Sequence, residues 1–469
     1  MTLPALLEPQ AELTLGPAWA GNSVNCVPYR HAPLVCAGNG ELASYYDPDG
    51  QVVIASIDGS RVRHIRIPNL RMPFDAHQAI SLGVDPAGHI HVAFGAHNSS
   101  ILIARSRTTL PQDGFVPPME LVHGLDEFDG SSSSASLTYP MFLRTRSDLL
   151  LLYRRGAHSD GALHISRLDA DGSGWMPDAT PIVSGRSCSP RCGPYLNTPV
   201  VLGGDTIACF LVWRLPSGAT GAGAVVNVGI DGFLSSDGMR TLSSMRGVDL
   251  GRPITPVTVD RIVALGPGAG LINQAGSAAR PDGTAAVISY WDPLCGVGGD
   301  AVPQYRMAWW TSSGWRVAQV SAFHTPFRLD GGGTLPLPHS RPELLLDDDA
   351  RAYVIWRSRE QDNRLMLRVL QPPDYLLEDS VELVLVDENL GFYEPVINRD
   401  AWERHRRLSI YVQWCAQNRD RDGKPDRAVG EARLMSWTLV HSVRNPPGTG
   451  KHYASSDRSR SDAPGLRGG

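Results

Sequence analysis

Short apolar segments separated by turn residues recur along most of this 469-residue chain. In each repeat, a turn that contains Asp or Gly precedes a strand-like apolar run, which often ends in an aromatic and a polar residue. Seven such repeats occur, at residues 45–56, 84–97, 146–156, 203–215, 280–292, 346–358 and 403–414. No interval between them carries a sustained apolar period of 3.6 residues, so we expect few helices.

The spacing of these repeats predicts a ring of small sheets. Each interval is long enough for about four strands of five or six residues with their turns. Seven similar units with irregular spacing favour an all-β fold, a seven-bladed β-propeller in which loops of different length are inserted into one closed ring. A β-sandwich, or two separate β domains, is the alternative that the same pattern leaves open.

The propeller is predicted to occupy residues 1–444 as a single domain. Residues 445–469 are rich in Pro, Gly, Ser and Arg and lack apolar periodicity, which indicates a disordered C-terminal tail. The N-terminus lacks a basic segment followed by an apolar run, so no signal peptide is predicted. The seven cysteines leave the redox compartment undecided, and the closely spaced Cys188 and Cys192 are only a weak metal or disulfide signal.

Charge and hydropathy argue against two classes of partner. The formal net charge is −5 and no long basic run is present, so we expect no binding to nucleic acid. The apolar runs, such as LLLLY at 149–153 and VELVLV at 381–386, are too short to cross a bilayer, so we expect no membrane insertion. A monomer is expected.

The residues that end the repeats are candidates for a shared pocket. A propeller gathers one rim of every blade around its centre, so these residues should converge. They are His97, Arg154, Arg214, Asp292 and Arg357. A pocket lined with arginine and histidine suits an acidic substrate.

Four of the 14 histidines lie in DAHQAISLGVDPAGHIHVAFGAH, residues 75–97. This stretch resembles the signature of the BNR-repeat propeller proteins that include ulvan lyases and L-rhamnose-α-1,4-D-glucuronate lyases. The signature runs Asp-x-His-Asn, then Asp-x-x-Gly-x-x-His, then a further His. Colinear segments that resemble later blades of the family lie at 136–156, 193–214, 270–283 and 390–414, so the resemblance covers roughly residues 40–415.

The resemblance implies a polysaccharide lyase that cleaves an L-rhamnosyl-α-1,4-D-glucuronate bond by β-elimination. This chemistry needs a cation for the uronate carboxylate, a base for the C5 proton and an acid for the O4 leaving group. Arg154 is the candidate cation, because its guanidinium can pair with a carboxylate through two hydrogen bonds. His77 and His97 are expected to act as base or carboxylate donor, Tyr139 as the acid or base, and Tyr195 to position the sugar or share the proton transfer.

Three further residues are expected to bind substrate. Arg214 is a candidate contact to a second acidic or hydroxyl group, and Asn273 and Gln274 are candidates to line the pocket, although a turn role is equally open for the last two. His89 and His91, which lie near a turn, are expected to be structural.

The sequence departs from the family signature in two places. Gln78 replaces the Asn that follows the first histidine, which puts a substrate contact in doubt. The interval between Tyr139 and Arg154 is one residue short, which we attribute to a trimmed hairpin turn.

A metal is a further expectation from the resemblance, since related enzymes hold calcium and sometimes zinc. Asp347, Asp348 and Asp349 offer oxygen ligands, but such a run is more often a solvated turn, and no ligand is assigned. A substrate that is an acidic polysaccharide of glucuronate and rhamnose would place the protein outside the cell, in tension with the missing signal peptide.

Two other functions compete with the lyase. A sialidase-like glycoside hydrolase is suggested by HIRIP at 64–68, which resembles an Arg-Ile-Pro motif, but clear Asp-boxes are missing and SSDGMRTL at 235–242 is only a degenerate one. A non-catalytic, glycan-binding propeller is the second alternative, against which the presence of the whole catalytic set counts.

Overall fold

The computed structural model describes residues 7–68, 73, 75–121, 136–172, 174–217, 225–292, 301–329, 334–417 and 428–439. In this part of the chain, 31 strands form seven separate sheets, and the predicted seven-bladed β-propeller is confirmed. All pairs of strands within the sheets are antiparallel. No helix of the described residues is long and apolar enough to cross a membrane. The predicted tail, 445–469, lies outside these residues.

The first strand, Leu7–Trp19 (β1), belongs to the last blade, and the ring begins after it. Blade 1 consists of Leu34–Ala37 (β2), Gly40–Tyr46 (β3), Val52–Asp58 (β4) and Arg61–Ile67 (β5). The next strands are Ser81–Val84 (β6), Ile90–Phe94 (β7), His97–Ser99 (β8), Leu102–Arg105 (β9) and Met119–Glu120 (β10). Of these, β8 pairs with blade 3 and the others form blade 2.

The middle of the chain forms the two largest sheets. Blade 3 adds Leu137–Arg144 (β11), Leu149–Ala157 (β12), Asp160–Leu168 (β13), Trp175–Pro177 (β14) and Val183–Ser184 (β15). Blade 4 consists of Gly193–Leu196 (β16), Val200–Gly203 (β17), Thr206–Arg214 (β18), Asn227–Ser235 (β19) and Asp260–Val263 (β20). Short 3₁₀ turns occur at Pro111–Asp113 and Arg359–Gln361.

The last three blades have four strands each. Blade 5 consists of Ser277–Ala279 (β21), Ala285–Trp291 (β22), Gln304–Thr311 (β23) and Gly314–Gln319 (β24). Blade 6 consists of Glu343–Leu346 (β25), Ala352–Ser358 (β26), Arg364–Leu370 (β27) and Val381–Val386 (β28). Blade 7 contains Val396–Ile397 (β29), Arg407–Val412 (β30), Val429–Leu439 (β31) and β1, and the helix Arg399–His405 (α1) lies between β29 and β30.

Both ends of the described chain meet in blade 7. The strand β1 pairs with β31 along its whole length, from Leu7 opposite Leu439 to Trp19 opposite Val429. The ring is therefore closed by hydrogen bonds between the first and last strands. Apolar clusters fill the space between neighbouring blades, and the largest of them packs blades 6, 7 and 1 together.

The second strand of each blade explains the repeat pattern in the sequence. Because these strands are covered by neighbouring blades on both faces, they are buried almost throughout and appear as continuous apolar runs. Six of the seven predicted repeats coincide with such strands. The first does not: residues 45–56 contain the turn after β3 and most of β4, the third strand of blade 1. Similar turns precede both β3 and β4, so the pattern could not distinguish the two hairpins.

The segment 20–33, between β1 and β2, has no regular structure but is buried almost throughout. Several of its polar groups are paired with other parts of the ring, as expected for a buried loop. The Asn25 side chain donates to the Tyr46 carbonyl at 3.0 Å, the Ser23 hydroxyl donates to Gln417 at 2.8 Å, and the Arg30 guanidinium donates to the Ser44 hydroxyl at 3.0 Å. This segment, which we call the floor segment, therefore has a fixed path.

Candidate active site

The structure brings the five residues predicted to be catalytic into one group. They lie where inner strands begin or second strands end, which is the same rim of the ring for every blade. A chain of ring contacts joins them: His97 to His77 with 4.2 Å between ring centroids, His77 to Tyr139 at 5.9 Å, and Tyr139 to Tyr195 at 5.9 Å. The Arg154 guanidinium lies over both tyrosine rings.

The two histidines share one carboxylate, that of Asp75. Its Oδ1 lies 2.8 Å from Nδ1 of His77, and its Oδ2 hydrogen-bonds Nδ1 of His97. Although burial raises the pKa of Asp75, these hydrogen bonds more than offset it and hold the pKa well below its usual range. An ionised Asp75 accepts Nδ1–H from both rings, so in the neutral form of each imidazole Nε2 is the nitrogen that can accept a proton.

Tyr139 has an unusual backbone conformation. Its φ is 59°, in the left-handed region that side chains with a Cβ seldom adopt, and the pairing of β11 with β12 is interrupted between Thr138 and Met141. This bulge turns the Tyr139 ring towards His77 and Arg154. Burial, to which the neighbouring Tyr195 adds, raises the pKa of Tyr139, so the phenol stays protonated near neutral pH.

Arg154 is a buried cation without a carboxylate partner among the described residues. Its exposed fraction is 3 %, and its Nε and Nη1 atoms have no hydrogen-bond acceptor there. The guanidinium carbon lies 5.0 Å from the ring centre of Tyr139 and 4.8 Å from that of Tyr195. Because a buried guanidinium without an anion is costly, the site is suited to a ligand that supplies one.

Tyr195 lies between two guanidinium groups. Arg214 lies 4.7 Å from its ring centre, on β18 opposite Gly193. Burial alone would raise the pKa of Tyr195, but Arg154 and Arg214 more than offset this and lower it. The environments of Tyr139 and Tyr195 therefore push the two pKa values apart, as is typical of acid and base pairs in active sites.

The three residues predicted to bind substrate form one hydrogen-bond network. Arg214 Nη2 donates to Asn273 Oδ1 at 3.0 Å, and Asn273 Nδ2 donates to Gln274 Oε1 at 3.2 Å. The Asn227 side chain, which also accepts from Arg214, donates to the Leu271 carbonyl at 2.7 Å. Asn273 and Gln274 thus hold Arg214 in place from blade 5.

Sequence reasoning missed three residues of this site: Asp75, Tyr29 and Arg341. Asp75 is part of the quoted histidine stretch, and its spacing to His77 was an available signal. Arg341 lies two residues before β25, much as Gln274 lies three residues before β21, and its Nη1 donates to Glu394 Oε1 at 2.6 Å. Tyr29 lies in the floor segment, where no pattern marks it.

Other residues named from the sequence lie in structural contacts. Arg357, predicted to converge on the pocket, donates to the carbonyls of Leu337, Pro338 and Tyr393. Asp292 was also predicted to converge on the pocket, and its carboxylate interacts with Arg306.

His91 and His89 contact Asp85 at the turn between β6 and β7. Nε2 of the buried His91 lies 3.1 Å from the Asp85 carboxylate, and Nδ1 of His89 lies 3.6 Å from it. These two histidines stabilise that turn.

One group of side chains in the described part of the chain could hold a metal ion. Among the described residues, Asp75, His77 and His97 are the one group of three whose ligand atoms lie close enough for a metal, within 4.8 Å of one another. Two nitrogens and one oxygen suit zinc rather than calcium, and the Nδ1 atoms here are hydrogen-bonded to Asp75. Asp347, Asp348 and Asp349 pair with arginines. Bound calcium stays a prediction, without assigned ligands.

A cavity lies on the other side of the floor segment. It has a volume of about 550 Å³ and is lined by inner strands, including Leu82, Met141 and Val200. Arg30 and His31 line it, but none of the five predicted catalytic residues does. The floor segment thus separates this cavity from the histidine and arginine group.

Comparison with proteins of known structure finds chains of similar fold. A polysaccharide lyase, the PL25 ulvan lyase bound to -[GlcA(1-4)Rha3S]-, is 14 % identical with a TM-score of 0.65, over 86 % of this chain and 93 % of that one. A second PL25 ulvan lyase structure gives the same values. An α-L-arabinofuranosidase from Fusarium graminearum has a TM-score of 0.41 at 10 % identity, over 79 % and 95 % of the two chains, too low to support an argument.

Comparison of the sequence with family models identifies its relatives more directly. No protein of curated function matches the sequence. The model of the BNR repeat-containing family matches residues 41–323, which is more than half of the chain. These residues include His77, His97, Tyr139, Arg154 and Tyr195. The chain belongs to the BNR repeat-containing family.

Proposed function

We propose that this protein is a polysaccharide lyase that cleaves 4-linked glucuronate by β-elimination. The observation that supports it best is the buried Arg154, which lacks a carboxylate partner in the described residues and lies against two tyrosines with opposite pKa shifts. The histidine pair oriented by Asp75 completes a cation, a base and an acid in one group. These are the three functions that uronate elimination requires.

Each residue has a role in the proposed reaction. Arg154 pairs with the uronate carboxylate and stabilises the negative charge that develops when C5 loses its proton. His77 or His97 takes that proton on Nε2, since Nδ1–H is committed to Asp75. The C5–H electrons form the C4–C5 double bond, the C4–O4 bond breaks, and Tyr139 donates its phenolic proton to O4. Tyr195 and Arg214 hold the sugar.

The charge of the site supports an acidic substrate with more than one anionic group. The guanidinium groups of Arg154, Arg214 and Arg341 lie against tyrosine rings of the site. Of these three, Arg341 alone has a carboxylate partner in the described part of the chain, Glu394. One uronate neutralises one of the two remaining charges. A substrate with anions on adjacent sugars, such as sulfated L-rhamnosyl-α-1,4-D-glucuronate, fits this surplus. The ulvan lyase of similar fold, bound to a glucuronate–rhamnose-3-sulfate oligosaccharide, supports the same class.

The sialidase-like alternative is not favoured by the structure. The HIRIP stretch lies in and just beyond β5, the outer strand of blade 1, and its arginine, Arg66, pairs with Asp47 with 62 % of its side chain exposed. It therefore cannot serve a pocket at the centre of the ring.

Ultraviolet absorbance of the products tests the proposed function. Incubation with ulvan, gum arabic and heparin-type glycans should produce the absorbance of a 4,5-unsaturated uronate with at least one of them. Arg154→Ala should lower kcat/KM about 10²- to 10³-fold. The matched control Arg66→Ala removes an exposed arginine on the outer strand and should leave activity unchanged.

Two outcomes would contradict the lyase. New reducing ends without the absorbance would indicate a hydrolase. Glycan binding without any new chain ends would indicate a non-catalytic propeller.

A further inference from the structure

Tyr29 packs against the proposed catalytic histidines from the floor segment. It is 2 % exposed, and its ring is nearly parallel to that of His77, with 5.4 Å between the ring centroids and 15° between the planes. It also makes an edge contact with Tyr139, at 5.3 Å and 62°. No repeat or family motif includes this residue.

Tyr29 completes a stack of three rings. His77 lies between Tyr29 on one face and His97 on the other, with 4.2 Å between the two imidazole centroids. Asp75 holds the Nδ1 edge of His77. The rings packed against the imidazole restrict the plane that it adopts.

Tyr29 is itself held by a separate part of the ring. Its hydroxyl lies 3.2 Å from the Thr334 hydroxyl, and the Arg341 guanidinium lies 5.5 Å from its ring centre. Arg341 is fixed by Glu394 and by the Asn273 carbonyl, to which its Nε donates at 2.9 Å. The orientation of Tyr29 therefore depends on blades 5, 6 and 7, whereas His77 precedes blade 2.

We propose that Tyr29 is a positioning residue, which sets the plane of His77 and thereby aims its Nε2 at the substrate. The role rests on the proposed lyase function for its effect on turnover, but the orientation of His77 is a property of the free protein. Tyr29 does not exchange a proton in this scheme, so its ring is required and its hydroxyl is not.

Substitutions at Tyr29 separate the ring from the hydroxyl. Tyr29→Phe keeps the stack and should retain kcat within about threefold. Tyr29→Met and Tyr29→Leu fill similar space without a ring, and they should lower kcat about 10- to 100-fold with little change in KM, because a misaligned base slows the reaction step. Thr334→Val removes the partner of the hydroxyl and should resemble Tyr29→Phe.

Nuclear magnetic resonance of protein labelled with ¹⁵N-histidine gives a reading that does not require turnover. In the unmodified protein, the hydrogen bonds to Asp75 should protect the Nδ1–H groups of His77 and His97 from exchange with water. Tyr29→Met should broaden or remove the His77 signal and leave that of His97. Asp75→Asn, the control, should remove both.

The two lines of evidence also separate failure of this inference from failure of the lyase. If Tyr29→Met and Tyr29→Leu match Tyr29→Phe in kcat and keep the His77 signal, Tyr29 only fills space beside His77 and the inference is wrong. If the unmodified protein has no lyase activity, the proposed function fails, and the ¹⁵N signals alone decide whether Tyr29 orients His77. Thermal unfolding of every variant identifies any that is simply unfolded.

Discussion

Arg154 and Arg214 bring two guanidinium groups to 4.8 and 4.7 Å from the ring centre of Tyr195, and neither has a carboxylate partner in the described part of the chain. At the scale of single residues, this surplus of buried positive charge controls the titration of the site. It stabilises the phenolate form of Tyr195, whereas burial dominates at Tyr139. In the proposed reaction, the same charge attracts the carboxylate of the uronate.

The lowered pKa of Tyr195 predicts a specific alkaline titration. In the folded protein this phenol should lose its proton below the ordinary value near 10. The unfolded chain then holds more protons than the folded one, so the group adds stability as the pH rises from the folded pKa towards 10. Arg214→Gln should shift this step upwards, because one of the two cations is lost.

Tyrosinate absorbance during alkaline titration measures this step. Tyr195→Phe identifies it, since the early step should be absent from that variant. A titration of Arg214→Gln that coincides with that of the unmodified protein would contradict the charge argument.

At the scale of elements, the position of Tyr195 depends on how closely blades 3 and 4 approach each other. The turn between β12 and β13 packs against the start of β16. A Cβ atom at Gly193 would lie 2.1 Å from the His158 carbonyl oxygen, a distance that real side chains do not reach. Tyr195 follows two residues later, so a shift of β16 would move it.

Gly193→Ala is therefore expected to lower activity although it removes no functional group. The displaced β16 should reduce kcat about 10²-fold, since small misplacements of reacting groups are costly. Gly266→Ala is the matched control, because an added Cβ there meets nothing within 4 Å. The rate of uronate elimination checks both variants, and equal rates would show that β16 tolerates the added carbon.

Elements differ in how far the sequence could predict them. The second strands were visible because burial on both faces leaves long apolar runs, and their ends indicated Arg154, Arg214 and His97. Tyr29 could not be found in this way, because it belongs to an irregular segment whose contact with Thr334 joins residues 305 positions apart. Such a contact forms only when the ring closes, so it cannot be predicted from the local pattern of apolar and polar residues.

At the scale of the whole molecule, stability depends on the pairing of β1 with β31. Leu15 of β1 is fully buried in the cluster that packs blades 6, 7 and 1 together, whereas Leu13 is only partly buried against it. Leu15→Ala should lower the free energy of unfolding by about 2–5 kcal/mol, and Leu13→Ala should lower it less. Denaturant unfolding measures both, and equal losses would show that β1 contributes little through its buried side chain.

Pairing of the first and last strands also affects when the site can form during synthesis of the chain. The partner of β1 is β31, which is synthesised after all the other strands. The floor segment with Tyr29 directly follows β1. A chain still on the ribosome, or one that stops before β31, lacks the bonds that anchor β1 and so the support of the floor segment. The position of Tyr29 beside the proposed catalytic histidines therefore depends on the last strand of the ring as well as on the first.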